Sequence, residues 1–171
     1  MKSATAIAHP NFALIKYWGK SNVNCNIPAM SSLAITLDSM ISETTVSFPD
    51  GLKKDTWILN SLEQSSLGQI QLPCNYLKKI SPIVPPCLIE SKNNFPTAAG
   101  LESSASGIAS LVIALDKVLE TKLSKQQMIE VSMLGSGSAA RSWFPGFVLL
   151  DVTEKDVKCD TILETEAWPL N

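Results

Sequence analysis

The first part of the chain has the alternating pattern of β-strands. Ala4, Ala6 and Ala8 alternate with Thr5 and Ile7, and an apolar run resumes after Pro10. A period of two residues places alternate side chains on opposite faces of a strand. We therefore predict strand over residues 4–18 with a break at Pro10. Further short β-rich runs predict four later strands, at Ser32–Thr36, Thr44–Phe48, Thr56–Leu59 and Cys87–Ser91.

The strongest helical pattern begins after Gly100. Apolar residues at a spacing of 3.6 form one stripe, with Ser110, Asp116 and Lys117 predicted to lie outside it. The stripe consists of Ile108, Leu111, Val112, Leu115 and Leu119. A second helix is predicted to start at Ser124, because Gln127 three residues later completes a capping box. Its inward positions are Met128, Val131 and Leu134.

The rest of the chain is less patterned. Residues 60–72 are polar and predict a loop, Cys74–Ile80 predicts a short helix that a proline cluster ends, and Phe147–Leu150 predicts a strand. The acidic tail, residues 153–171, is expected to be weakly structured. Strands that come first and helices that follow indicate an α+β domain with helices on one face of a β-sheet.

Composition narrows the class of protein. With 171 residues, 45% hydrophobic and 18% charged, the chain fits one domain, residues 1–171, that needs no disulfide or structural metal. A formal net charge of -2 argues against nucleic-acid binding. No apolar run predicts a membrane span or a signal peptide, so no membrane partner and a cytoplasmic location are expected.

Scarce residue types narrow the chemistry. His9 is the sole histidine, which excludes a multi-histidine metal site, and Arg141 is the sole arginine. The four cysteines lack C-x-x-C spacing and are expected to be reduced and mostly buried.

Three segments suggest binding of a small anion. Residues 96–105 form a small-residue loop that enters the best helix, where free N–H groups favour phosphate, although an ordinary helix cap has the same composition. Residues 135–142 surround Arg141 with glycines and serines, which suits an anion site or a flexible turn. Lys16 and Lys20 flank Tyr17 and Trp18, a pattern shared by anion sites and by solvated lysines.

Together these segments resemble diphosphomevalonate decarboxylase, of the small-molecule kinase superfamily that includes galactokinase, homoserine kinase and mevalonate kinase. The strings that carry the resemblance are Asn11 to Lys20, with Lys-Tyr-Trp-Gly-Lys, Asn93 to Leu101 followed by Ser103-Ser104-Ala105, and Gly135 to Ser142. The resemblance implies the ribosomal-protein-S5-like fold of that superfamily and an N-terminal, nucleotide- and substrate-binding domain. The family's catalytic aspartate is expected in a C-terminal domain outside this chain, and the isolated chain is predicted to be inactive.

The implied reaction uses ATP and Mg2+ to phosphorylate the 3-hydroxyl of (R)-5-diphosphomevalonate. Loss of phosphate and CO2 then gives isopentenyl diphosphate in isoprenoid and sterol biosynthesis. A homodimer is compatible with the resemblance.

The resemblance also implies roles for individual residues. Lys16 and Arg141 are the catalytic candidates, the former stabilising developing charge and the latter pairing with the substrate carboxylate. The substrate-binding candidates are Tyr17, Trp18, Gly19, Lys20, Ser136, Gly137, Ser138, Ala139, Ala140 and Arg141. The nucleotide-binding candidates are Ala98, Ala99, Gly100, Leu101, Ser103 and Ser104, with Ser104 also a candidate Mg2+ contact.

Two positions depart from the family pattern. Glu102 replaces a residue that is usually alanine, and we expect its side chain to point to solvent from the first turn. An arginine that the family uses on the diphosphate has no counterpart, and Lys78 or Lys79 is the nearest substitute. The alternatives are therefore a 5-phosphomevalonate decarboxylase, a mevalonate 3-kinase or an inactive half-length binding module.

Overall fold

The computed structural model describes residues 2–81, 85–97, 100–153 and 156–164. Its first six strands are β1 (Ser3–Ala8), β2 (Asn11–Ile15), β3 (Lys20–Asn22), β4 (Ile27–Pro28), β5 (Ser32–Thr36) and β6 (Ser42–Ser47). The middle of the chain forms β7 (Thr56–Leu59), β8 (Leu62–Glu63), helix α1 (Gln71–Ile80) and β9 (Leu88–Asn93). The last elements are α2 (Ser103–Leu119), α3 (Lys125–Gly135), β10 (Phe147–Val152) and β11 (Val157–Leu163). The α+β class is confirmed.

The longer strands form two sheets. One sheet has five strands in the order β1-β6-β9-β7-β8, and the other has four in the order β11-β10-β5-β2. β7 pairs with β9 in parallel, and the other pairings between described strands are antiparallel. The predicted strands Ser32–Thr36 and Thr56–Leu59 are confirmed to the residue.

Helix α2 is the centre of the larger core. Its apolar residues pack against β1 and β6 in a cluster that also includes α1 and part of α3. Ser110 was predicted outside the apolar stripe, but it is fully buried. Its hydroxyl lies 2.8 Å from Oγ1 of Thr44 and 3.0 Å from the Gly107 carbonyl oxygen, so a hydrogen-bonded serine is accommodated in the core. None of the helices in the described residues is long and apolar enough to cross a membrane.

Helix α3 joins this core to the second sheet. The capping box is confirmed, because Ser124 accepts from the Gln127 amide and Gln127 accepts from the Ser124 amide. Val131 is buried as predicted, whereas Ile129 and Met133 are buried in a smaller cluster with Val148 and Leu150. Two faces of α3 are thus apolar, whereas the sequence pattern predicted one.

Three secondary-structure predictions are wrong. Residues 60–72 contain β8, a 3-10 turn at Gly68–Ile70 and the start of α1 rather than a loop. The predicted first strand ends at Ile15, and residues 16–18 are irregular. Part of the tail forms β11, which pairs along β10; the acidic composition of the whole tail concealed the alternation of Val157 and Cys159 with Lys158 and Asp160. Residues 165–171 lie outside the described residues.

Candidate functional site

Arg141 is the most constrained polar residue of the site. It lies in a 3-10 turn, Ala139–Trp143, and is only 1% exposed. Its Nε donates to Oδ1 of Asn11 over 3.0 Å, and its Nη1 donates to Oγ of Ser32. Asn11 in turn donates to Oγ of Ser142 over 2.8 Å. The starts of β2 and β5 therefore hold the guanidinium in one orientation.

Sequence reasoning missed Asn11 and Ser32 as partners of Arg141. They are 130 and 109 residues away along the chain, and no local pattern indicates such contacts.

The guanidinium of Arg141 is the group of this site that suits an anion. Burial lowers the pKa of its guanidinium, while the negative charge of Glu102 acts in the opposite direction. An arginine stays protonated despite such a shift. Two of its five N–H donors are occupied by Asn11 and Ser32, so the rest of the planar fork suits a carboxylate or phosphate.

Gly137 brings Tyr17 to the same site. A Cβ at Gly137 would lie 2.6 Å from Oη of Tyr17 and 2.8 Å from the backbone oxygen of Asn26. Only glycine permits this approach. Burial raises the pKa of Tyr17, Arg141 opposes the shift and Glu102 reinforces it, so the phenol is a neutral hydrogen-bond donor at pH 7.

Glu102 points into this site, which corrects the solvent-facing expectation. Oγ of Ser138 donates to Oε2 of Glu102 over 2.7 Å, and Oγ of Ser136 lies 3.1 Å from Oγ of Ser138. Glu102 has φ 52° and ψ 38°, a left-handed conformation in which its side chain does not cap α2. The expectation assumed an ordinary first-turn residue, but Glu102 precedes the helix and bonds to a distant loop.

The other predicted substrate contacts differ in their placement. Lys20 is exposed, and its Nζ donates to Oδ1 of Asn26 over 2.6 Å. Lys16 and Gly19 are also exposed, the latter with φ 77°. Trp18 is 77% exposed and does not line a site formed by the described residues.

Ala139 and Ala140 are fully buried in the two apolar clusters. Their side chains therefore anchor the turn that carries Arg141 and do not line a site.

A cavity lies beside the start of α2. It measures about 320 Å³, the lower end of the range for small-ligand sites. Ser103 and Ser104 border it together with residues of β7 and β9, among them Trp57, Ser91 and Asn93. Nε1 of Trp57 is buried without a hydrogen-bond partner among the described residues. The lining of the cavity is mostly apolar, with hydroxyl groups from Ser91, Ser103 and Ser104, a feature that the sequence did not indicate.

The predicted phosphate loop is partly described. Gly100 has φ 77°, which favours glycine, and Leu101 and Ser104 are half-buried. Ala98 and Ala99 lie outside the described residues. In the described part of the chain, no three His, Cys, Asp or Glu side chains are grouped as metal ligands. A Mg2+ ion beside Ser104 would therefore take most of its oxygen ligands from phosphate and water, as Mg2+ commonly does.

Lys78 is not available to replace the expected arginine. Its Nζ forms an ion pair with Oδ1 of Asp55, and both side chains are mostly buried. Lys79, by contrast, is exposed. The cysteine prediction is confirmed: all four are free, with Cys74, Cys87 and Cys159 buried.

Comparisons with known proteins show the family of the chain. A family model described as the diphosphomevalonate decarboxylase-like N-terminal domain matches residues 8–161. The diphosphomevalonate decarboxylase of Candida albicans is 37% identical over 187 residues, covering 99% of this chain and 52% of that protein. The chain thus spans about half the length of the curated relatives it matches.

Solved structures show the same similarity. The mevalonate diphosphate decarboxylase of Staphylococcus aureus superimposes with a TM-score of 0.85 and 37% identity, covering 95% of this chain and 50% of that one. The structure of MDDEF in complex with MVAPP, AMPPCP and magnesium superimposes with a TM-score of 0.84 and 38% identity. The match covers 94% of this chain and 50% of that one. The resemblance inferred from the motifs is confirmed, and the chain belongs to the family of diphosphomevalonate decarboxylase-like N-terminal domains.

Proposed function

We propose that this chain is the nucleotide- and substrate-binding part of an enzyme that decarboxylates (R)-5-diphosphomevalonate with ATP. The observation that carries the proposal is the buried Arg141, which Asn11 and Ser32 orient beside Tyr17, Ser136 and Ser138. Hydroxyl donors and one planar cation suit a substrate that has phosphates at one end and a carboxylate at the other.

Different residues of the site bind different groups of the substrate. Arg141 binds the carboxylate with the free part of its fork, while Tyr17, Ser136 and Ser138 donate hydrogen bonds to the diphosphate. Lys20 adds charge at the exposed edge, once it leaves Asn26. Lys16, exposed at the end of β2, stabilises negative charge that develops during the reaction.

The cavity beside α2 fits a nucleotide. Its lining is mostly apolar, which suits the faces of a heterocyclic base, and the start of α2 offers N–H groups to phosphates. Ser103 and Ser104 would hold the phosphates, with Ser104 near Mg2+. When bound, MgATP would supply the phosphoryl group for the 3-hydroxyl of the substrate. The chain's contribution is to hold the two ligands in adjoining sites.

Calorimetric titration of the 171-residue chain tests the proposal. We expect it to bind diphosphomevalonate and MgATP, and to bind mevalonate, which lacks phosphate, more weakly. Ser104→Ala should weaken MgATP several-fold and leave diphosphomevalonate affinity unchanged, since it removes one hydroxyl group that borders the nucleotide cavity alone. A folded chain that binds neither ligand would contradict the proposal.

A second candidate has specific support. Glu102 places a carboxylate among the anion donors, and Lys78 is engaged by Asp55, so the site carries less positive charge than the family pattern requires. Both features favour a less charged substrate, as in a 5-phosphomevalonate decarboxylase or a mevalonate 3-kinase. Side-by-side titration of mevalonate, its monophosphate and its diphosphate separates the candidates by which ligand binds most tightly.

A further inference from the structure

Glu102 makes a contact that helix formation does not require. Its side chain makes no capping bond to α2, yet its Oε2 accepts a 2.7 Å hydrogen bond from Ser138, 36 residues away. Ser138 is only 5% exposed. A surface glutamate at a helix start would be solvated, so this geometry indicates a role for the carboxylate within the site.

The contact occupies a donor that an anionic ligand would use. Ser138 gives its one hydroxyl proton to Glu102, and Ser136 lies 3.1 Å from the same hydroxyl. A hydroxyl has one proton, so Ser138 cannot donate to Glu102 and to a ligand together. A phosphate that binds the serine pair must therefore displace Glu102.

The negative charge of Glu102 reaches the rest of the site. It raises the pKa of Tyr17 and opposes the lowering of the pKa of Arg141. Among the described residues, Glu102 forms no ion pair within 4 Å. Its charge is thus not cancelled by a direct partner and would repel a ligand in proportion to the charge of that ligand.

We infer that Glu102 is a specificity-determining residue whose carboxylate competes with ligand phosphate for Ser138 and lowers the site's affinity most for the most highly charged anions. The inference rests on the proposed substrate site, because it takes Ser136, Ser138 and Arg141 as the anion contacts. The inference adds one property to the proposed function: Glu102 makes the site discriminate between anions by their charge.

Titration with two inorganic anions tests the inference without any turnover. Glu102→Gln keeps the size of the side chain and removes its charge, and Glu102→Gly removes the side chain at a backbone conformation that glycine favours. We expect both variants to bind inorganic diphosphate about tenfold or more tightly than the unchanged chain, since a unit charge a few ångströms away has an effect of at least that size. The gain for inorganic phosphate should be smaller.

Controls separate this result from a general effect. Glu63→Gln removes an exposed carboxylate on β8 and should leave both affinities unchanged. The gain of the Glu102 variants should decrease as salt is added, because it is electrostatic. Circular dichroism verifies that each variant is folded.

Each other outcome overturns the inference. These outcomes are diphosphate affinity within twofold of the unchanged chain, a gain for Glu102→Gly without one for Glu102→Gln, equal gains for the two anions, and folded variants that bind neither anion. The proposed function fails separately, when the unchanged chain binds neither diphosphomevalonate nor MgATP.

Discussion

Gly137 shows how one residue shapes the site. It is buried between Tyr17 and the backbone of Asn26, and its missing side chain permits the phenol to approach the turn that carries Ser138 and Arg141. Gly107 in α2, by contrast, has no atom within 4 Å of the position where a Cβ would lie. Alanine at Gly107 therefore serves as a control for alanine at Gly137, because only the latter position is crowded.

Gly137→Ala is expected to destabilise the chain by about 1–3 kcal/mol, because a Cβ 2.8 Å from a backbone oxygen forces the loop to move. It should also weaken diphosphomevalonate binding by displacing Tyr17. Gly107→Ala should instead stabilise the chain by up to about 1 kcal/mol through helix propensity. Urea unfolding and calorimetry measure both effects. Equal stability of the two alanine variants would contradict the packing argument.

Arg141→Lys is expected to weaken diphosphomevalonate binding about tenfold or more although the charge is kept. A lysine ammonium cannot donate to Asn11 and Ser32 and still present a planar fork to a carboxylate. Calorimetric titration measures the loss, and an unchanged MgATP affinity in the same sample serves as the control. Unchanged affinity for diphosphomevalonate would show that Arg141 has only a structural role.

At the scale of elements, the start of α3 is stabilised locally. Ser124→Ala removes the acceptor of the Gln127 amide and should cost about 0.5–2 kcal/mol in the free energy of unfolding. Ser124→Asp keeps an acceptor and should differ from the unchanged chain by less than about 0.5 kcal/mol. Urea unfolding compares the three proteins. If aspartate is as destabilising as alanine, the cap is not the source of the stability.

Asp55 connects α1 to β9. Oδ1 of its carboxylate accepts from Lys78 on α1 and, over 2.8 Å, from the backbone amide of Cys87 just before β9. Burial alone would raise the pKa of Asp55, but the hydrogen bonds from Lys78 and Cys87 and the lysine charge outweigh it and hold the pKa below its ordinary value of 3.8.

The stability contributed by Asp55 therefore depends on pH. A lowered pKa in the folded state adds stability above the unfolded pKa, and this stability is lost as the pH falls through the folded pKa. Asp55→Asn should cost about 1–3 kcal/mol at pH 7, where it leaves Lys78 without its ionised partner, and progressively less below about pH 4. Urea unfolding at several pH values measures the difference. Asp50→Asn, at an exposed turn residue, is the control and should show no such trend. A cost for Asp55→Asn that is constant from pH 7 to pH 3 would contradict the lowered pKa of Asp55.

At the scale of the whole molecule, binding and turnover are expected to separate. The family's catalytic aspartate is not among the residues that carry the resemblance, and a positioned general base contributes typically 10²- to 10⁴-fold. We expect the 171-residue chain to bind its ligands but to release neither inorganic phosphate nor CO2 at the rate of the full-length Candida albicans relative, assayed in parallel. Release at a comparable rate would contradict this expectation.

The sequence by itself determined the features that depend on neighbours in the chain. Ser32–Thr36 and the capping box of α3 were predicted correctly because their signals, a short β-rich run and a three-residue spacing, are local. The order of the three motifs indicated the family without any contact being known. The strand β11 was missed because the tail was judged by its overall acidic composition, although β11 itself alternates over Val157–Asp160 and pairs with β10.

Only the tertiary structure decided how the site is assembled. Arg141 is oriented by Asn11 and Ser32 from more than 100 residues away, and Glu102 turns toward Ser138 and not toward water. Such contacts depend on how the two sheets and α2 bring distant segments together. The type of a residue does not reveal which distant residue it contacts in the folded chain. The residue types of an anion site can thus be predicted from the chain, whereas the carboxylate within it is visible only once the chain is folded.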